Sequence, residues 1–259
     1  MSGLVSRIVF ERLPHLEDEV AYLYQAKIFA GGQLTVESPQ PRRSFWQPFV
    51  VDYSATGQRF AKYTPGWPLL LTLGVWAGQA WVLNALLASL TVALTYRIGR
   101  SVFNGEVGLI AAALVAFSPA ALLLNASLMG HTSALFFSTL FMFAYLQLDR
   151  RRVRRWWLWG LIAGFALGWM VMTRPLSAIA IALPFIVYSI ARLLLPAWAL
   201  LRTKTDWRAV WQRLWLTLRP LLLLGVVTLM LASAIPIFSA VTTGDPTKNL
   251  YTLVWPYDR

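Results

Sequence analysis

Five stretches of this chain contain no Asp, Glu, Lys or Arg: residues 63–96, 107–148, 156–173, 175–191 and 220–244. A helix needs about 20 mostly apolar residues to cross a bilayer. Each stretch is close to that length or beyond it, and 107–148 is long enough for two passes. A soluble domain carries about 25% charged residues, whereas this chain carries 13%. Its 13 tryptophans suit aromatic belts at the two membrane interfaces. The expectation is an all-α fold: a polytopic transmembrane helical bundle of about six spans, forming a single membrane domain over 1–259. The spans are expected at roughly 80–97, 107–124, 131–148, 156–173, 176–194 and 220–240.

The short connections give the orientation. Arg97 and Arg100 lie in 97–106, five arginines (Arg150, Arg151, Arg152, Arg154, Arg155) in 149–155, and Arg202, Lys204, Arg208, Arg213 and Arg219 in 195–219. With six spans these three segments share one side, and the positive-inside rule makes it cytoplasmic. Residues 1–79 are then extracytoplasmic, and 241–259 begin another outer loop. The same distribution accounts for the net charge of +12 without a nucleic-acid partner. With no cysteine and only His15 and His131, neither a thiolate nor a His-rich metal centre is expected. Phosphate-loop and dinucleotide fingerprints are also missing, so no cofactor is expected. Met1–Phe10 lacks an apolar run long enough for a signal peptide.

Within the outer segment, Glu17-Asp18-Glu19 open a helical run that stops at Gly31-Gly32. Ser38–Arg43 reads as a loop, with Phe45, Trp46, Phe49 and Val50 able to lie on the membrane surface. Two prolines and a glycine in Thr64–Pro68 argue against a continuous helix there. Leu69–Ala77 is then a partial or interfacial helix, and Ser118-Pro119 marks the outer end of the second span. Trp207, Val210, Trp211, Leu214, Trp215 and Leu218 form a stripe at helical spacing, read as an amphipathic helix on the cytoplasmic lipid surface.

Four features on the outer side have residue types suited to chemistry, and each has a plainer reading. Asp18 with Glu19 either accepts a proton from an attacking hydroxyl or complements the helix dipole. Lys62, followed by Tyr63-Thr-Pro-Gly-Trp-Pro68, either meets a lipid phosphate or snorkels into headgroups. His131, at the mouth of a span, either hydrogen-bonds a phosphate or sugar or caps the chain locally. Arg174, before Pro175 between two apolar spans, pairs with Asp18, Glu19 or a ligand phosphate, or snorkels outward.

The order of these motifs resembles the polytopic glycosyltransferases of the GT-C class. It is most similar to bacterial relatives of the protein O-mannosyltransferases and the lipid-A aminoarabinose transferases. An outer Asp-Glu is followed by Lys-Tyr-x-Pro-Gly-x-Pro, by His131-Thr132 and by Thr173-Arg174-Pro175-Leu176. The segment Asn249–Arg259 also looks like part of an outer loop of bacterial members. The resemblance implies a sugar donor carried on a polyprenyl phosphate, and a lipid, glycan or protein acceptor at the outer face of the cell membrane. It makes Asp18 the carboxylate that activates or orients the acceptor and Glu19 its companion. Lys62, with Tyr63 beside it, would meet the lipid phosphate, with Arg174 and His131 as further contacts. Such enzymes usually begin with a span before the Asp-Glu loop and continue for several more. The expectation is therefore the N-terminal part of a longer transferase. The alternative is a non-catalytic membrane scaffold subunit or a transporter fragment, although a transporter should show ionisable residues within its spans.

Overall fold

The computed structural model describes residues 1–149, 155–202 and 207–254. Arg150, Arg151, Arg152, Arg154, Lys204 and residues 255–259 lie outside the described residues. The elements begin with α1 (Ser2–Ile8), α2 (Glu17–Ala30), β1 (Val36–Glu37), β2 (Val50–Tyr53) and β3 (Gln58–Ala61). Next come α3 (Gly66–Trp76), α4 (Ala80–Val102), α5 (Gly105–Phe117), α6 (Pro119–Ala126) and α7 (His131–Leu148). The chain continues with α8 (Trp156–Thr173), α9 (Pro175–Arg202), α10 (Trp207–Ala232) and α11 (Ala234–Thr243). Two compact units result: residues 1–136 with 233–259, and residues 137–232.

In the first unit α2 runs over the expected residues. Three carboxylates occupy its first turn, and Gly32 follows it at a φ of 74°. The all-α expectation needs correction, because a three-stranded antiparallel sheet, in the order β1-β3-β2, packs with this helix. Val50-Val51-Asp52-Tyr53 and Gln58-Arg59-Phe60-Ala61 pair across a turn that ends at Gly57, where φ is 69°. Gln25, fully buried, ties helix to sheet: its Nε2 donates to Leu34 O (2.9 Å) and its Oε1 accepts from Ala61 N (2.8 Å). Phe29, Val51 and Phe60 share a core with Phe238 of α11 and Leu250. Val50 is buried in β2 rather than spread on a membrane surface; of that apolar group, Phe45 and Trp46 are exposed.

The Pro-Gly motif also differs from expectation. Pro65 is the N-cap of α3, and Pro68 falls within its first turn. A proline is tolerated there because first-turn amides have no partner inside the helix. Trp67 is buried and donates from its indole to Leu128 O at 2.8 Å. Fully buried Asn84 of α4 donates to Ser127 O (2.7 Å) and Met129 O (3.1 Å), which fixes the turn before His131. Helices α4 and α5 approach through glycine: a Cβ on Gly99 would stand 2.6 Å from Gly108 Cα. Ser118 caps α6, and Pro119 begins it, so α5 and α6 meet at a 58° bend.

In the second unit α8 packs on α10 through Gly160, Gly164 and Gly168. A Cβ on Gly164 would lie 2.7 Å from Leu224 O, and one on Gly168 would lie 2.8 Å from Leu231 Cβ. Small residues four apart let two backbones approach closely inside a membrane, and Thr228 Oγ1 donates to Gly164 O at 3.2 Å. The end of α7 is tied to α9 by the Arg192–Asp149 ion pair and by Tyr188 OH donating to Asp149 at 2.9 Å. The tryptophan stripe is not a separate surface helix. It is the start of α10, which runs on through Pro220.

Among the described residues, four helical stretches are long and apolar enough to cross a membrane: 80–102, 156–173, 175–195 and 210–243. The bent α5–α6 pair makes a fifth if it counts as one span. Helices lie over all six expected stretches, and these four or five meet the demands of length and apolar composition. Helix α7 has 18 residues, but Thr132, Ser133, Ser138, Thr139 and Gln147 hold its hydropathy below that of the others.

Candidate active site

The first turn of α2 and the end of β3 meet at one point of the first unit. Tyr63 OH donates to Asp18 Oδ1. Glu19 is engaged differently. It is 2% exposed, and its Oε2 accepts from the backbone N–H of His15 at 2.8 Å, as a residue at the third helical position does when it closes the helix entrance. Adjacent carboxylates thus have separate duties: Glu19 is buried in holding the chain, while Asp18 stays partly exposed.

Lys62 is placed by extension of the sheet. Beyond the Val50–Ala61 pair its backbone N–H donates to Phe49 O at 3.0 Å. Phe49 has a φ of 60°, uncommon for a bulky residue, and its ring lies 4.0 Å from Lys62 Nζ. The rings of Tyr63 and Tyr251 are each 5.5 Å from the same ammonium. Aromatic faces stabilise a cation by about 0.5–2 kcal/mol without neutralising it, and three of them surround this lysine, which is 6% exposed. Tyr63, itself 5% exposed, packs against Tyr22 at 4.3 Å and edge-on to Tyr251 at 5.7 Å. The side chain that positions Asp18 is therefore held on several sides. Removing only its hydroxyl, in Tyr63→Phe, is expected to cut turnover about tenfold with little change in donor KM. That is the loss of one hydrogen bond to a charged group, and steady-state kinetics read it.

Two cavities flank this cluster. One, of about 510 Å³, is lined by Glu17, Trp46, Gln47, Phe49, Asp52 and Leu253 among others, and its charged lining residues are both carboxylates. Asp52 is held by Arg59 at 3.1 Å, and Arg59 also donates to Phe45 O at 2.5 Å. The Arg59 guanidinium lies 5.6 Å from the Tyr24 ring. Burial pushes the Tyr24 phenol above its ordinary range, with the charge of Arg59 acting against that. The second cavity, of about 50 Å³, has Lys62, Thr64, Ser239, Lys248, Asn249 and Tyr251 in its wall. Among the described residues no three of His, Asp and Glu are grouped to hold a metal ion.

His131 stands at the start of α7, half-buried, after a turn pressed on the lysine motif: a Cβ on Gly130 would lie 3.2 Å from the Trp67 ring. Asp18, Lys62, Tyr63 and the His131 turn thus belong to one unit. Arg174 belongs to the other, exposed at the junction where α8 ends and α9 begins. Lys248, in the wall of the second cavity, carries no motif of its own. Its signal was the run of turn residues Gly244-Asp-Pro-Thr-Lys-Asn249 after an apolar helix.

Helices fit for a bilayer, preceded in the chain by the Asp18–Tyr63 pair and the ring-enclosed Lys62, mark a polytopic membrane protein. The family model described as dolichyl-phosphate-mannose-protein mannosyltransferase matches residues 68–207, more than half of the chain. The chain belongs to that family, whose glycosyltransferases use polyprenyl-phosphate sugar donors. No curated protein and no solved structure matches it. The match includes His131 and Arg174 but begins after Asp18, Glu19, Lys62 and Tyr63, so the latter four rest on geometry.

Proposed function

We propose that this chain transfers a sugar from a polyprenyl-phosphate-linked donor to an acceptor hydroxyl at the extracytoplasmic face of the membrane. The observation that carries the reading is the partly exposed Asp18, fixed by Tyr63 next to the ring-caged Lys62. Asp18 takes the proton of the acceptor hydroxyl as its oxygen attacks the anomeric carbon. The bond from that carbon to the phosphate oxygen breaks, and the lipid phosphate leaves with the electron pair. Charge grows on the leaving phosphate in the transition state, where a fixed cation stabilises it most. Lys62 is that cation, with His131 of the same unit as a further contact to the donor. Attack from the face opposite the phosphate inverts the sugar. The larger, acidic and aromatic cavity, lined by Glu17 next to Asp18 in the chain, suits the acceptor, and the smaller, basic one suits the phosphate. Glu19 supports the site by holding the entrance of α2.

Membranes containing the full reading frame, supplied with radiolabelled sugar on polyprenyl phosphate, are expected to transfer label to an endogenous acceptor. Folded, inserted protein that turns over no donor would overturn the reading in favour of a scaffold subunit.

A further inference from the structure

We propose that Lys248 is a second phosphate-binding cation, sharing with Lys62 the wall of the cavity of about 50 Å³ and held there by the turn between α11 and Tyr251. The ligand class is a single phosphate group, whether borne by a lipid or free. The proposal draws on the reading above only for the identity of the donor.

The cavity itself carries the argument. One water needs about 10–15 Å³ of such a cavity, so this space suits a polar group of a few heavy atoms. Its wall includes two lysines, Lys62 and Lys248, with the polar residues Thr64, Ser239 and Asn249. A phosphate in so small a space would meet both lysine charges at once, and charge-assisted hydrogen bonds are roughly twice as strong as neutral ones. Lys62 cannot withdraw, since its backbone is in the sheet ladder and it is 6% exposed.

Lys248 is held just as deliberately. Gly244 ends α11 at a φ of 80°, and its N–H reaches Ala240 O at 2.8 Å. Asp245 then accepts from Thr247 N (2.8 Å) and Thr247 Oγ1 (2.7 Å). Those two bonds hold its carboxyl below the usual range, with the charge of Lys248 a smaller cause in the same direction. The Lys248 N–H donates to Asp245 O at 3.3 Å, and Asn249 Oδ1 accepts from Tyr251 N at 3.2 Å. The turn therefore delivers two residues to one place: Lys248 to the cavity, and the Tyr251 ring to within 5.5 Å of Lys62 Nζ.

The test is binding, independent of turnover. The full chain in zwitterionic nanodiscs is titrated with fluorescent decaprenyl monophosphate. Lys248→Gln is expected to weaken binding about tenfold or more, and Lys248→Arg to restore it. Inorganic phosphate in the buffer, or phosphatidylglycerol in the disc, is added as competitor to learn whether free phosphate or bulk headgroups occupy the same cleft. Competition by either, lost in Lys248→Gln, supports the proposal. Wild-type affinity in the Gln variant, or a loss that Arg does not restore, overturns it. Protection of Lys248 from an amine reagent by the monophosphate reads the same contact without any substitution, and an unprotected Lys248 also overturns it. A chain that binds the monophosphate through Lys248 yet transfers no sugar retires the transferase reading and leaves this one standing.

Discussion

Asp18→Asn is expected to lower sugar transfer by about 10²–10⁴-fold, the range of a lost general base, while the protein stays folded. The asparagine keeps the shape of the side chain and an oxygen to accept from Tyr63 OH. What it loses is the charge at the entrance of α2, which costs about 0.3–1 kcal/mol. Glu19→Gln should behave in the opposite way. Its carboxylate is 2% exposed and spent on the His15 amide, so stability falls more than the rate of the folded fraction. Thermal melts beside transfer assays separate the two variants. Full activity in Asp18→Asn, or a chemical defect confined to Glu19→Gln, would reverse these roles.

Gly164→Leu is expected to break the second unit. A side chain there meets Leu224 O at 2.7 Å and Val227 Cβ at 2.8 Å, and a backbone oxygen cannot step aside. Overpacking costs roughly 1–3 kcal/mol for a small misfit, and a leucine exceeds that. The thermal midpoint in detergent should drop by at least about 5 °C, and a disulfide engineered between α8 and α10 should no longer form. Gly225→Ala is the control, because a Cβ there meets no atom within 4 Å. It should be neutral, or gain up to about 1 kcal/mol of helix propensity. Equal tolerance at both positions would mean that the α8–α10 contact does not hold this unit together.

Where one local signal decided the structure, the sequence could be read directly. Charge-free windows mark the apolar helices, and Glu17–Glu19 with Gly31-Gly32 mark both ends of α2. Reading failed where pairing partners are distant or segments are short. The strands β1 to β3 have only two to four residues each, too few for alternation to stand out. Pro68 and Pro220 look like breaks, yet one sits in a first turn that needs no amide and the other inside a helix that continues past it. The glycines at 160, 164 and 168 were legible as a small-residue stripe and passed unread. At the site, residue types pointed to Asp18 and Lys62, but only geometry divides the duties of Asp18 and Glu19. Lys248 lies 186 residues beyond Lys62, and nothing local connects them.

The first unit is discontinuous, and that sets an order of assembly. Its sheet receives Phe238 and Leu250 from the far end of the chain, Thr56 donates to Thr242 O at 3.1 Å, and Tyr251 flanks Tyr63. A ribosome emits these residues only after every helix of the second unit has been made. Until then Phe29, Val51 and Phe60 have no late partners, and the Lys62 cavity has one wall missing. Closing so long a loop is entropically slow. A nascent chain arrested anywhere between residues 137 and 232 therefore carries Asp18 and Lys62 without a finished place to use them.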